Sequence, residues 1–217
     1  SFSAPAQSFY WDDPVNLAVM KAWQAGSVVV ASAGNRGQNE PTVGVPGNVP
    51  YVITVGAATD NYTPSYDKDD FIASFSSAGP TVEGFAKPEV VAYGGHVAGL
   101  MGTDSSIAKR YPDLKIVDDY YAMSGTSQAA AVVTGVVALM LSDQPFLTPD
   151  QIKCRLIDSA EPLMEGDMGK ETAFVQGAGL VSAEEAVFSK ADKCANQNMN
   201  IQADIDGKEH YVGPALN

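Results

Sequence analysis

The chain has 217 residues, enough for one large domain with a sizeable core, and its 45% hydrophobic and 18% charged residues exclude a disordered or fibrous chain. Lys and Arg number 13 against 26 Asp and Glu, so the net charge is −13, which disfavours nucleic acid and anionic membrane as partners. The longest apolar run, near Ala129 to Leu141, is interrupted by Thr134 and Gly135 and is expected to fall short of a membrane span.

Asp13-Pro14, followed by Val15, Leu17, Ala18, Met20 and Trp23, predicts a helix with Asp13 as its cap, Pro14 in its first turn and Gly26 as its stop. The apolar run that follows, Val28-Val29-Val30-Ala31, predicts a strand ending in Ser32-Ala33-Gly34-Asn35. Helix then strand is half of a βαβ unit and argues for a parallel sheet. Gly34 to Gly47, rich in Gly, Pro and Asn, reads as a loop. Asp60, Asn61, Asp67, Asp69 and Asp70 offer oxygen ligands for calcium, but they lack the spacing and glycine of an EF-hand loop and read as an acidic surface loop. Pro112 argues against one helix through the charged stretch from Val97 to Tyr121.

Met123-Ser124-Gly125-Thr126-Ser127-Gln128 is a small-residue turn running into the apolar stretch from Ala129 to Leu141, which is long enough for a buried helix. Ser127 therefore stands where a loop becomes a helix. A hydroxyl there meets the positive helix end and unpaired N–H groups, which suit a nucleophile whose reaction builds an oxyanion. The plainer alternative makes Thr126 or Ser127 only an N-cap. Asn35 carries a carboxamide donor of the kind that stabilises a tetrahedral oxyanion, worth roughly 3–4 kcal/mol of barrier. Its plainer alternative is a turn residue between Gly34 and Gly37.

Further on, Thr148 and Pro149 begin another helix, with Ile152, Leu156 and Ile157 facing inward, and Ser182 to Lys190 form a last short one. Cys154 and Cys194 form one disulfide or stay free; their spacing does not show whether their Cα atoms approach. Residues 191–217 are polar and without clear periodicity, a linker towards a further domain or an ordered tail.

The strand ending in Gly34-Asn35, together with Gly125-Thr126-Ser127-x-Ala129, resembles the subtilisin-like serine protease family. Tyr51 to Ala57 resembles its next core strand, Phe75 to Pro80 and Lys87 to Ala92 the strand and turn after it, and Gln176 to Val181 the closing segment. The resemblance covers residues 1–190 and implies an α/β fold, three-layered with a mainly parallel sheet, acting as a serine endopeptidase on peptide or protein substrates. By that resemblance Ser127 is the nucleophile, and Asn35 with the Ser127 N–H forms the oxyanion hole. Ser1, Phe2 and Ser3, with Ser3 in place of a family Gly, form the cleft strand that pairs with bound peptide. Ser32, Ala33 and Gly34, with Gly44 and Val45, wall the specificity pocket. Small walls imply room for a bulky apolar or aromatic side chain. The resemblance also makes Val45-Pro46 a cis candidate. It implies no cofactor for the chemistry, admits structural calcium, and suggests a secreted or periplasmic protein.

The chain departs from the family at Tyr93-Gly94, where Pro-Gly is usual, in the long segment from Val97 to Tyr121, and after Ser127, where Gln128-Ala129-Ala130-Ala131-Val132 replaces Met-Ala-x-Pro-His. The family's Asp-Ser/Thr-Gly and His-Gly-Thr motifs do not occur. His96 and His210 both follow Asn35, whereas the family base precedes it. The expectation is a C-terminal part of a catalytic domain without its first strands, inactive alone, and either held by the missing N-terminal part or self-associated. The main rival is a pseudoprotease that binds peptides without cutting them. An α/β-hydrolase is weaker, because its Gly-x-Ser-x-Gly elbow needs Gly where Ala129 stands.

Overall fold

The computed structural model describes residues 3–39, 41–63, 65–163 and 173–216. Helix α1 (Pro14–Gln24) starts as its sequence dictates: the Asp13 carboxylate accepts from the Val15 and Asn16 N–H groups, and Pro14 takes the first helical position. Gly26, at φ +93°, turns the chain after it. Strand β1 (Val30–Ser32) pairs in parallel with β2 (Ile53–Thr59). The end of β2 pairs antiparallel with the short β3 (Phe71–Ile72), and β2 also pairs in parallel with β4 (Val90–Tyr93). Buried β2 is thus the middle of the sheet.

Phe75 to Pro80 does not form a strand; within it only Ala78 bridges, to Pro41. Its polar groups serve loops instead. Ser76 and Ser77 hydroxyls accept from Ala57 N and Arg36 N, Gly79 N donates to Lys87 O and Phe174 O, and Pro80 has no N–H to give a ladder. Val97 to Tyr121 is a surface elaboration: β5 (Val97–Leu100), the short α2 (Ser106–Arg110), β6 (Lys115–Val117) and β7 (Tyr120–Met123). Its three strands form a separate antiparallel sheet in the order β5-β7-β6. Pro112 opens a 3-10 turn past α2.

Helix α3 (Thr126–Asp143) lies against β1, β2 and β4 and buries Ala129, Ala130, Val133, Val136, Val137 and Met140. It is unbroken despite the missing family proline. Its 18 residues, mean hydropathy 1.3, meet the length and composition of a spanning helix, contrary to the expectation from Thr134 and Gly135. Thr134 does not interrupt it because its hydroxyl donates to Ala130 O one turn back. Helix α4 (Pro149–Asp158) opens with a full capping box between Thr148 and Gln151, buries Ile152 and Leu156, and leaves Ile157 half-buried. Then follow α5 (Ala173–Gln176), α6 (Ala183–Phe188), capped by Ser182, and α7 (Ile201–Ile205), capped by Asn200.

Residues 191–216 lie on the body. Cys154 and Cys194 form a disulfide with Cα atoms 5.1 Å apart. Buried Asp204 accepts from the Tyr10 hydroxyl at 2.6 Å and the Tyr51 hydroxyl at 2.9 Å, and pairs with His210 Nδ1 at 2.8 Å. Burial, reinforced by Asp204, pushes both tyrosine hydroxyls far above their ordinary pKa.

Under β2 sits a buried ionic clamp. Glu89 Oε1 meets Lys87 Nζ at 2.5 Å and Lys153 Nζ at 2.9 Å, while Glu89 Oε2 accepts from Thr54 N at 2.8 Å. The ammonium groups also donate to Val52 O and Pro50 O. Burial pushes Lys87 down to about 7, with Glu89 pulling it back up and Lys153 adding to the fall. For Glu89, burial opposes the charge, yet Lys153 and Lys87 outweigh burial and hold the carboxyl below its ordinary 4.5. A depressed carboxyl contributes stability that is present above its unfolded pKa and is lost as pH falls through the folded value. Lys87, depressed below 10.5, binds fewer protons folded than unfolded between about 7 and 10.5, so its contribution rises with pH there. Replacing Glu89 with Gln leaves two buried cations without their anion and should cost about 3–5 kcal/mol at neutral pH. Urea midpoints at neutral pH check this: the variant should unfold at clearly lower urea than the parent.

Candidate active site

Ser127 is the second residue of α3, in the turn where the helix's positive end is felt. The cap position belongs to Gly125, whose extended backbone makes no side-chain capping bond, so neither Thr126 nor Ser127 is the N-cap. Thr126 instead reaches back to the end of β1. Its N–H and its hydroxyl both donate to Asn35 Oδ1 at 2.9 Å, and the hydroxyl accepts from Gly34 N at 3.2 Å. Two donors on Oδ1 fix which end of the carboxamide is which and leave Nδ2 as the outward donor. A Cβ on Gly125 would stand 3.2 Å from that Nδ2 and 2.9 Å from Gln128 Oε1.

Three segments meet at Ala33, which is fully buried. The Ala33 carbonyl accepts from Gly44 N at 3.2 Å and from Ser3 Oγ at 3.4 Å. Ala4 and Val45 exchange two backbone hydrogen bonds, of 3.1 and 2.8 Å, as a short antiparallel bridge. A Cβ on Gly44 would strike Ala4 O and Ser3 Oγ, so only glycine allows this approach. Gly34 is at φ +115°, which only glycine adopts readily. Val45-Pro46 is cis.

A cleft of about 340 Å³ results, lined by Ser3, Pro5, Ser32, Gly34, Asn35, Arg36, Thr126 and Ser127. Ser3, Ser32, Gly34, Asn35 and Ser127 thus line one cleft, whereas Ala33 and Gly44 do not line it and are joined by the Gly44 N–H donating to Ala33 O. Ser1 and Phe2 lie outside the described residues. Pro5, Arg36 and Thr126 were not singled out as cleft residues in the sequence; the signal for the last two was adjacency to Asn35 and Ser127.

Among the described lining residues there is no histidine and no carboxylate. His96 donates its N–H to Ser124 Oγ at 2.9 Å and sets its ring against Tyr62; His210 stacks on Trp11 beside Asp204. In the acidic loop Asp69 accepts from Thr63 and Asn61, Asp70 from Tyr93, and Asp60 from Tyr62 N. Among the described residues no three His, Cys, Asp or Glu side chains converge on one point.

Thr126→Val leaves the buried Gly34 N–H without its acceptor and should cost about 1–3 kcal/mol in denaturant unfolding, whereas Thr126→Ser, which keeps the hydroxyl, should stay near the parent value.

Residues 3–180 match the model of the Subtilase family. The chain is 42% identical over 176 residues to serine protease AprX of Bacillus subtilis, covering 81% of this chain and 38% of that protein. It is 36% identical over 171 residues to subtilisin DY of Bacillus licheniformis, covering 78% of this chain and 50% of that protein. The chain therefore spans half or less of the length of these relatives. Among solved structures, fervidolysin from Fervidobacterium pennivorans, described as a keratinolytic enzyme related to subtilisin, superposes with a TM-score of 0.60 at 28% identity, covering 81% of this chain and 24% of that one.

Proposed function

The chain belongs to the subtilase family, and from that membership we propose that it is the nucleophile-bearing part of a serine endopeptidase. Ser127 Oγ attacks the scissile carbonyl, and the oxygen that becomes negative is received by Asn35 Nδ2 and the Ser127 N–H. The tetrahedral intermediate then breaks its C–N bond and releases the amine half of the peptide, protonated by the base, and water attacks the acyl-enzyme ester to release the acid half and free Ser127. The observation that carries this reading is the Thr126–Asn35 lock, which aims a neutral amide donor over the opening turn of α3. A preset donor needs no reorganisation as charge develops, which is where oxyanion stabilisation gains over water.

The described cleft holds no base, so the base and its orienting carboxylate come from an upstream part of the same domain. Two surfaces support such a partner. Among the described strands β1 pairs only with β2, which leaves an open edge, and α3 exposes Val132 and Leu139. Without that part, these surfaces are expected to seat a second copy of the chain. The chemistry uses protein groups alone, and any calcium would be structural. The disulfide fits an oxidising compartment, and with it a secreted or periplasmic protein.

The rival reading, a peptide-binding pseudoprotease, is favoured by the same lack of a base in the cleft. Kinetics on the chain together with its upstream segment separate the two. Cleavage of a chromogenic peptide should vanish in Ser127→Ala. In Asn35→Leu kcat should fall about 10²–10³-fold with KM little changed. Peptide binding with no cleavage by the unsubstituted protein would leave the pseudoprotease.

A further inference from the structure

A second cavity, of about 610 Å³, is larger than the cleft around Ser127 and shares no lining residue with it. It lies past the carboxyl ends of β2 and β4, which run parallel, a place where ligands bind in such sheets. Asp60 comes to it just after β2 and His96 just after β4, and Tyr66, Asp70 and Tyr93 line it as well. The His96 N–H donates to Ser124 Oγ at 2.9 Å, so this wall stands three residues before Ser127 in the chain. Asp70 is only 4% exposed, yet it lines the cavity. Its Oδ2 accepts from the Tyr93 hydroxyl, whereas among the described residues Oδ1 takes no hydrogen bond and the carboxylate is in no ion pair. Asp60 is in no ion pair there either, and its Oδ1 accepts only from Tyr62 N. No Lys or Arg is among the described residues that line the cavity. A carboxylate buried as deeply as Asp70 is costly until a cation meets it.

We infer that this cavity binds an arginine side chain of a polypeptide, its guanidinium meeting the Asp70 carboxylate between the rings of Tyr66 and Tyr93. This rests on the reading of the neighbouring cleft as a site of peptide hydrolysis, since a chain laid over Ser127 brings its other side chains within reach of the cavity. Three features select arginine. The open Oδ1 of Asp70 takes a charge-assisted hydrogen bond, and the charge of Asp60 adds to the attraction. The Tyr66 and Tyr93 rings offer flat faces, on which a planar guanidinium stacks and an ammonium does not. The cavity also has the volume of a ligand pocket, enough to take the whole side chain with its flanking backbone. A neutral side chain of the same shape leaves Asp70 without its cation, and an acidic one is repelled.

The test uses the chain with its upstream segment and Ser127→Ala, so that peptides stay intact. Fluorescence anisotropy is read for labelled peptides that differ only in Arg, citrulline, Lys or Glu at each position in turn. At one position Arg should bind about tenfold tighter than citrulline, which keeps the shape without the charge, and about threefold tighter than Lys, with Glu weakest. Asp70→Asn can still accept from Tyr93, and in it the Arg/citrulline ratio should fall to about one. Tyr66→Ala leaves Asp70 and Tyr93 in place, so it serves even where the Asp70 variant does not fold; in it Arg and Lys should bind about equally. Asp192→Asn removes the same charge from an exposed position near the end of the chain and should leave the ratio at about ten. An equal fall in Asp192→Asn and Asp70→Asn would assign the preference to the net charge of −13 and overturn the inference. So would an Arg advantage that survives Asp70→Asn, equal binding of Arg and citrulline at every position, or no peptide binding at all. Whether the protein with Ser127 intact cleaves these peptides is a separate readout, and it bears on the protease reading alone.

Discussion

Asn35 and Thr126 lie 91 residues apart in the chain and meet through one carboxamide oxygen. That contact joins the end of β1 to the start of α3, and the geometry around the cleft is arranged to permit it. Gly34 takes a left-handed conformation so that its N–H reaches the Thr126 hydroxyl. Gly125 carries no side chain where one would press on Asn35 and Gln128. With Oδ1 held by two donors, the carboxamide has one orientation, and Ser127 follows one residue behind the lock. A site that depends on the direction of a dipole needs this fixing more than it needs affinity.

The platform beneath is fixed by a different kind of force. β2 is buried between its neighbours, and the segment that leads into it is tied from below by Glu89 and two lysines. Lys153 brings α4 into the same knot, and it also donates to Asn196, whose neighbourhood the Cys154–Cys194 disulfide pins. Buried ion networks add little net stability against an apolar equivalent, but losing one member is costly, and they hold one arrangement of loops. Here that arrangement holds Thr54 of β2, the residue that pairs with Ala31 of β1, the strand that leads to Asn35. The cleft lies past the carboxyl end of β1, as ligand sites in parallel α/β sheets do.

Much of this was legible in the sequence where the physics is local. Asp13, Thr148 and Ser182 announce their helices because a cap acts within three residues of itself, and the apolar face of α4 shows at Ile152 and Leu156. Gly34-Asn35 and the turn before Ser127 were readable as a pair only through resemblance, since nothing local links them. What depends on distant partners stayed hidden. Phe75 to Pro80 looked extended but spends its hydrogen bonds on loops. The cysteine pairing was open, because 40 residues of spacing do not fix a Cα distance. Thr126 looked like a possible cap because its true acceptor is far back in the chain. The order in residues 191–216 rests on Asp204 and the disulfide, and the five residues of α7 are too few to show a helical period.

In the proposed protease Ser127 is an activated hydroxyl beside a preset oxyanion donor. Labelling with a fluorophosphonate, followed by digestion and mass mapping, tests this most directly on the chain together with its upstream segment. The prediction is a single phosphonyl adduct, on Ser127, whose proposed donors, Asn35 Nδ2 and the Ser127 N–H, would receive the phosphonyl oxygen. No adduct, or one on another serine, would contradict the account.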